Sequence, residues 1–347
     1  IDFDFFKRIR SFCKGKKPDF WLMGEIIHGD YNRWANPEML DSVTNYECYK
    51  GLYSSHNDKN YFEIDYSINR QSGMNGGIYR NIDLYNFADN HDVNRLASTV
   101  SNPAYLPLIY TLMYAMPGIP SIYYGSEYGI QGRKENGSDD NLRPCLHLAD
   151  MERENTGLYD HIVKLGRAYK AYPALRNGSY ERIAITNQQL LFRKSLGDQN
   201  IYVALNLGDY SYTFSFGAQG ECLTDVFTGS EVPVNGGNVS LELQPFSSMI
   251  LVSRDEFCTA DDSTAAVSQE QPEEAVQEDE SAAELVEGAR YRHFKGGEYE
   301  LLAVARHSES NEELVIYRSV SDGQVWARPK SMFTGMAGDV RRFTKLD

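Results

Sequence analysis

Leu84-Tyr85-Asn86-Phe87-Ala88-Asp89-Asn90-His91-Asp92 runs from an apolar, strand-like segment straight into an amide, an imidazole and a carboxylate. Phe20-Trp21-Leu22-Met23-Gly24-Glu25 has the same form, an apolar run that ends on a carboxylate. Outward from these two, residues 1–172 alternate short apolar runs with longer stretches of helical period, the pattern of β/α units around a parallel sheet. Strands are predicted at 19–25, 41–47, 82–89 and 119–125. Phe3, Phe5, Phe6 and Ile9 mark one face of an opening helix, 104–116 reads as a helix closed by Pro117-Gly118, and 156–172 as another with Leu158, Ile162, Leu165 and Tyr169 on one face. Four such units in about 105 residues match half of an eight-unit barrel of about 250 residues. Half a barrel leaves two parallel edge strands unpaired, and such edges invite aggregation, so the expectation is that this stretch is incomplete.

Past residue 176 the period changes. Segments 189–194, 200–206 and 210–216 alternate in character between Gly-Asp turn signals, which predicts an antiparallel β-sandwich over 176–254. The net charge of −15 is concentrated beyond the sandwich: 12 acidic residues and no Lys or Arg lie between Asp255 and Glu287, leaving about −3 for everything else. That segment reads as an acidic, disordered linker whose charge says little about a substrate. Residues 288–347 regain aromatic and β-branched residues and read as a small β-rich domain. The predicted fold is therefore α/β for 1–175, then sandwich, linker and β-rich tail.

Several classes are disfavoured. No basic stripe with interleaved aromatics points to nucleic acid, and no apolar run reaches the 18 or so residues of a membrane span. The five cysteines form no CxxC pair and are odd in number, which disfavours a disulfide framework or a zinc site and points to a reducing, cytoplasmic compartment. Asn136-Gly137-Ser138 fits a glycosylation acceptor but reads better as a turn.

Barrel enzymes place their chemistry at the carboxyl ends of the strands, where both of these segments end. Cleaving a glycosidic bond needs one carboxyl group held protonated to serve the leaving oxygen and a second kept ionised. A Glu leaving an apolar strand is expected to be desolvated, which favours its protonated form, so Glu25 suits the acid. Asp92, between polar neighbours, suits the ionised group that hydrogen-bonds sugar hydroxyls. An Asn-His-Asp run also serves as a helix N-cap, with Asp92 capping the segment behind it. The coincidence of two such strand ends half a barrel apart favours the catalytic reading.

These residues resemble glycoside hydrolase family 13, the α-amylase family, over residues 1 to 253. Gly24-Glu25 resembles its general-acid motif, Phe87-x-x-Asn90-His91-Asp92 its last catalytic motif, and Pro120-Ser121-Ile122-Tyr123-Tyr124-Gly125-Ser126-Glu127 its eighth strand. The resemblance implies that 1–175 is the C-terminal half of a (β/α)8 TIM barrel, strands 5 to 8. It implies Glu25 as acid/base, Asp92 as transition-state stabiliser, and His91 with Asn90 as ligands of the sugar. Arg143, in Asn141-Leu142-Arg143-Pro144, falls in a loop that approaches the active site in relatives. His28 and Tyr124 are candidate wall residues, with core packing the commoner role for Tyr124. The family's nucleophile, an Asp closing strand 4, has no counterpart here. Asp2 and Asp4 lie in or beside the opening helix, so the nucleophile is expected ahead of Ile1 and the isolated polypeptide is expected to be inactive. No cofactor and no metal site is expected among these residues, and calcium in this family is often held by the other barrel half. The implied substrate is an α-glucan, by a hydrolase of neopullulanase or maltogenic type. A transglycosylase or glucan isomerase would use the same residues but exclude water. A non-catalytic carbohydrate-binding protein would have lost the nucleophile. The tail motifs Tyr291-Arg292-His293-Phe294-Lys295-Gly296, Ala305-Arg306-His307-Ser308-Glu309 and Trp326-Ala327-Arg328-Pro329 resemble a small bacterial domain family of unknown function, whose Arg and His residues offer an anion site or, more commonly, surface charge.

Overall fold

The computed structural model describes residues 2–74, 76–153, 157–257, 285–294, 296–306, 313–337 and 340–346. Most of the predicted linker lies outside the described residues, as do Lys295 and 307–309 of the tail motifs. The chain divides into two compact units, residues 1–271 and 272–347.

In the first unit, four two-residue strands line up in parallel: β1 (Met23–Gly24), β2 (Ser42–Val43), β3 (Tyr85–Asn86) and β4 (Ile119–Pro120). β1 pairs with β2 and β3 with β4, and a Thr44–Tyr85 bridge joins the pairs. Around them stand α1 (Phe3–Lys16), α2 (Tyr46–Asn57), α3 (Tyr61–Ser72), α4 (Leu96–Thr99), α5 (Tyr105–Ala115), α6 (Leu148–Arg153), α7 (Leu158–Ala171) and α8 (Pro173–Asn177). This is a partial (β/α) barrel, the fold class read from the sequence. Gly118 shows why the turn before β4 needs glycine: its φ is +112°, and a Cβ there would fall 2.5 Å from the Leu84 carbonyl oxygen.

The paired strands are shorter than predicted. Residues 46 and 47, expected to end a strand, begin a helix, because Asn45 Oδ1 accepts from the Cys48 backbone N–H at 3.2 Å and caps α2. Neither α2 nor α3 is singled out by the periodicity of the sequence. The first β/α unit lacks its helix and carries a 3-10 turn at Tyr31–Arg33. On α1, Phe6 and Ile9 pack inward and Phe3 stacks on Trp34 at 4.8 Å, but Phe5 is exposed, since two residues rotate a helix by about 200° away from Phe3.

β5 (Ser179–Ile185), β6 (Gln189–Leu196), β7 (Gln199–Asn206), β8 (Tyr212–Gly217), β9 (Cys222–Asp225), β10 (Glu231–Pro233), β11 (Asn238–Leu243) and β12 (Ser247–Ser253) form the sandwich. One sheet has the order β10-β9-β12-β7-β6-β5, and β11-β8 faces it across Leu191, Phe214, Leu241 and Leu251. The outer side of the larger sheet, with Leu190, Phe192 and Val203, shares one core with Leu108 and Leu112 of α5 and Leu165 of α7. Burying each such side chain contributes about 1.5–3 kcal/mol, which binds sandwich and barrel into one body. Asp65, buried on α3, accepts from Tyr180 Oη at 2.8 Å and from Arg182 Nη1 at 2.7 Å across that boundary. Residues 135–138 form a turn closed by a Glu135–Ser138 bridge, as read from Asn-Gly-Ser.

The second unit is a five-stranded antiparallel sheet of β13 (Arg290–His293), β14 (Glu298–Arg306), β15 (Glu313–Ser319), β16 (Val325–Pro329) and β19 (Phe343–Lys345), in the order β16-β15-β14-β13-β19. α9 (Lys330–Thr334) and a short hairpin, β17 (Met336–Ala337) with β18 (Val340–Arg341), precede the last strand. Phe333 of α9 stacks on Phe343 at 4.0 Å over Tyr291, Leu301 and Val315.

Candidate active site

Consecutive strand ends supply the site. Glu25 follows β1, Tyr46 follows β2, Asn90, His91 and Asp92 follow β3, and Tyr124 follows β4. Gly24 sets the approach of Glu25, for a Cβ there would fall 2.5 Å from Leu40 Cδ1 in the core. Ligand atoms of Glu25, His91 and Asp92 all lie within 4.8 Å of one another, the one such group that could hold a metal ion among the described residues. Arg143 already compensates charge there, with Nη2 3.0 Å from Asp92 Oδ1 and 3.0 Å from Asp139 Oδ2.

The turn at 90–93 is held from within. Asn90 Oδ1 accepts from the backbone N–H of Asp92 at 2.8 Å and of Val93 at 3.1 Å. Leu96, which opens α4, donates its N–H to Asp89 Oδ2 at 2.8 Å. The capping role open to Asp92 thus falls to its neighbours, and Asp92 remains 43% exposed with His91 Nε2 at 3.5 Å. Arg143 Nε donates to the His91 carbonyl at 3.2 Å, and Lys134 Nζ to the Asp92 carbonyl at 3.2 Å.

Beneath the turn, Ser126 Oγ donates to the Asp89 carboxylate at 2.7 Å. Burial pushes the Asp89 carboxyl up, while the Leu96 and Ser126 hydrogen bonds and the Arg95 charge pull it down. Fully buried Arg95 donates to the carbonyls of Tyr124 at 2.6 Å and Leu142 at 2.7 Å, so one guanidinium fastens the segment after β4 and the Arg143 loop to the Asn-His-Asp turn.

Glu25 departs from expectation in one respect: it is exposed. β1 is an edge of the sheet, and Phe20, Trp21, Met23 and Ile27 beside it are exposed too, so the apolar strand does not enclose its carboxylate. Tyr46 Oη donates to Glu25 Oε1 at 2.8 Å. His28 is exposed in the loop after β1, where Gly29 and Asp30 line, with Glu47, Arg70 and Tyr79, a cleft of about 580 Å³. Tyr124 is 43% exposed and donates to the Pro144 carbonyl at 2.9 Å, so core packing is not its role. The sequence patterns did not mark Tyr46, Asp89, Arg95 or Asp139. Asn-Tyr at a third strand end was the available signal for Tyr46.

Acidic and imidazole groups gathered at the carboxyl ends of parallel barrel strands, with a sandwich packed behind, follow the plan by which barrel enzymes place their chemistry. Residues 2–172 match the family described as alpha amylase, catalytic domain, and residues 180–250 that described as maltogenic amylase, C-terminal domain. Residues 2–172 and 180–250 are thus catalytic and C-terminal domains of the α-amylase family, glycoside hydrolase family 13. Residues 289–345 match a protein family of unknown function. A cyclomaltodextrinase of Geobacillus thermopakistaniensis is 25% identical over 252 residues, 71% of this chain and 42% of that protein. Neopullulanase 2 of Thermoactinomyces vulgaris is 28% identical over 265 residues, 72% of this chain and 43% of that protein. The chain thus spans less than half the length of these curated relatives. The crystal structure of an α-amylase from Geobacillus thermoleovorans complexed with acarbose superposes with a TM-score of 0.62 at 19% identity, over 73% of this chain and 57% of that one.

Proposed function

We propose that the protein carrying this chain is a retaining hydrolase of α-glucans, with Glu25 as acid/base and Asp92 as the ionised group that stabilises the oxocarbenium-like transition state. The observation that carries the reading is the approach of Glu25, His91 and Asp92 within 4.8 Å at the ends of parallel strands. His91 and Asn90 take the sugar at the cleavage point, Arg143 and Tyr124 wall one side, and His28 the other, beside the cleft at Gly29 and Asp30. No nucleophile is assigned among the described residues, and the isolated chain is expected to be inactive. The division into catalytic, sandwich, linker and tail segments at 1–175, 176–254, 255–287 and 288–347 is part of the same proposal, supported by where the three family matches fall. A cytoplasmic location is supported by the free Cys13, Cys48, Cys145 and Cys222. Among the described residues no helix is long and apolar enough to cross a membrane.

Product analysis on starch, pullulan and cyclodextrins tests the reading, using the full-length protein and its Glu25→Gln variant. Hydrolysis that falls about 10²-fold or more in the variant is expected, the usual contribution of a general acid being 10²–10⁴-fold. Unaltered turnover by Glu25→Gln refutes the acid assignment. Glucosyl transfer exceeding hydrolysis selects the transglycosylase on the same scaffold, and glucan binding without turnover selects the non-catalytic protein.

A further inference from the structure

Among the described residues, Tyr46 is the side chain that ties the two halves of the candidate site together. It stands at the start of α2, directly behind β2, so it rises between the strand that delivers Glu25 and the strand that delivers Asp92. Its phenol donates to Glu25 Oε1 at 2.8 Å and accepts from Asn90 Nδ2 at 3.1 Å. The same Asn90, through Oδ1, holds the backbone of Asp92 and Val93. The ring has little freedom: it meets Phe87 edge-on at 4.8 Å and Tyr49 edge-on at 5.9 Å, and Tyr49 in turn stacks on Phe87 at 5.0 Å. With a lone pair engaged by Asn90, the phenolic hydrogen is directed to Glu25.

We propose that Tyr46 is a positioning residue that selects which oxygen of Glu25 carries the catalytic proton: it engages Oε1 as an acceptor and leaves Oε2 to protonate the leaving glycosidic oxygen. This rests on the reading of Glu25 as the general acid. Burial, chiefly, pushes the Tyr46 hydroxyl up to about 12, with the Glu25 charge and hydrogen bond adding to it and the Asn90 donor opposing. The phenol therefore keeps its own proton while the carboxyl gives one up. In the glycosylation step the proton moves from Glu25 Oε2 to the glycosidic oxygen as the C–O bond breaks and its electron pair leaves with that oxygen. The negative charge left on the carboxylate is shared with Oε1, where the Tyr46 contact becomes charge-assisted and stronger. A contact that strengthens as the proton departs lowers the barrier rather than tightening ground-state binding.

The test is Tyr46→Phe in the full-length protein, assayed on a maltooligosaccharide and on α-maltosyl fluoride, whose fluoride departs without a general acid. With the donor gone, kcat on the oligosaccharide is expected to fall about 10- to 100-fold, the loss of one hydrogen bond to a charged group. KM should stay within about twofold and turnover of the fluoride within about threefold, for only proton delivery is impaired. Equal losses on both substrates, or no loss on either, overturn the positioning role. Glu25→Gln separates the two levels: if it abolishes oligosaccharide turnover while Tyr46→Phe is silent, the acid reading stands and the Tyr46 inference falls. If Glu25→Gln is silent, or the wild type turns over neither substrate, the hydrolytic reading of the site falls and the inference with it.

Discussion

Replacing Lys194 with methionine should stabilise the protein at neutral pH. Lys194 lies on β6 opposite Tyr180 of β5 and Ile201 of β7, on the sheet face that shares its core with the barrel helices. It is fully buried and its Nζ has no hydrogen-bond partner. Burial lowers its proton affinity to about 8 from the usual 10.5, only partly offset by the charge of Asp83. The sign follows from linkage. Above pH 10.5 neither the folded nor the unfolded chain is protonated there, and nothing is lost. Between 10.5 and 8 the unfolded chain binds a proton that the folded chain refuses, so stability falls as pH falls. Below 8 both are charged and the full penalty is present, about 3 kcal/mol at 1.36 kcal/mol for each pH unit of that interval. Methionine has a similar unbranched length and no charge to desolvate. Lys194→Met should therefore raise stability at pH 7 by about 2–3 kcal/mol, a rise in melting temperature of roughly 4–10 °C. Calorimetry of both proteins at pH 7, 9 and 10.5 reads it, and the advantage should shrink as pH rises. A variant no more stable at pH 7, or one whose advantage is the same at every pH, refutes the reasoning.

His56 carries the opposite end of the pH range. It is buried, with Nδ1 donating to the Leu52 carbonyl at 2.7 Å and Nε2 accepting from Tyr61 Oη at 3.2 Å, and burial pushes its proton affinity down to about 3. Unfolding between pH 6.5 and 3 takes up a proton there, so His56 alone should lower stability by about 2 kcal/mol from pH 7 to 5, and His56→Gln should remove that share of the slope in denaturant titrations. For Arg95, lysine cannot reproduce the paired contacts to Tyr124 and Leu142, and Arg95→Lys should cost about 2–4 kcal/mol. A loss under about 0.5 kcal/mol in urea unfolding would show that those loops hold themselves.

The sequence made the strand ends legible because an apolar run that stops on polar residues is a local signal: 82–89 and 19–25 needed no knowledge of neighbours. The exposure of Glu25 was not legible, because desolvation depends on what stands across from β1, and a run of apolar letters names only one wall of a pocket. The helix at Tyr46–Asn57 was obscured at its start. Its first two residues, Tyr46 and Glu47, fall inside the strand predicted at 41–47, and the decisive feature is one capping bond from Asn45. Arg95 could not be found by pattern, since its partners are main-chain carbonyls 29 and 47 residues away. Tyr46 was one of 24 tyrosines, and only geometry separates the one that touches both Glu25 and Asn90.

These contacts also rank the site's members by how firmly they are held. Asp92 sits on a turn whose backbone Asn90 holds through part-buried hydrogen bonds, beside buried Asp89, Ser126 and Arg95, and its carboxylate is met by Arg143 at the surface. Beneath the β2–β3 junction, Asn45 donates to Gln71 Oε1 at 3.0 Å and to Asn86 Oδ1 at 2.8 Å in the same buried fashion. Glu25 has no such backing: it follows a two-residue edge strand, is exposed, and receives its hydrogen bond from Tyr46. The ionised member of the proposed pair is thus preorganised by the described residues, while the acid depends on a phenol anchored to that same framework through Asn90. Catalysis by such a pair is most sensitive at its looser partner, because misplacing a proton donor by about 1 Å can cost 10²-fold in rate. Substitutions that loosen the ring contacts of Tyr46 with Phe87 and Tyr49 should then lower turnover more than substitutions of comparable size around Asp92.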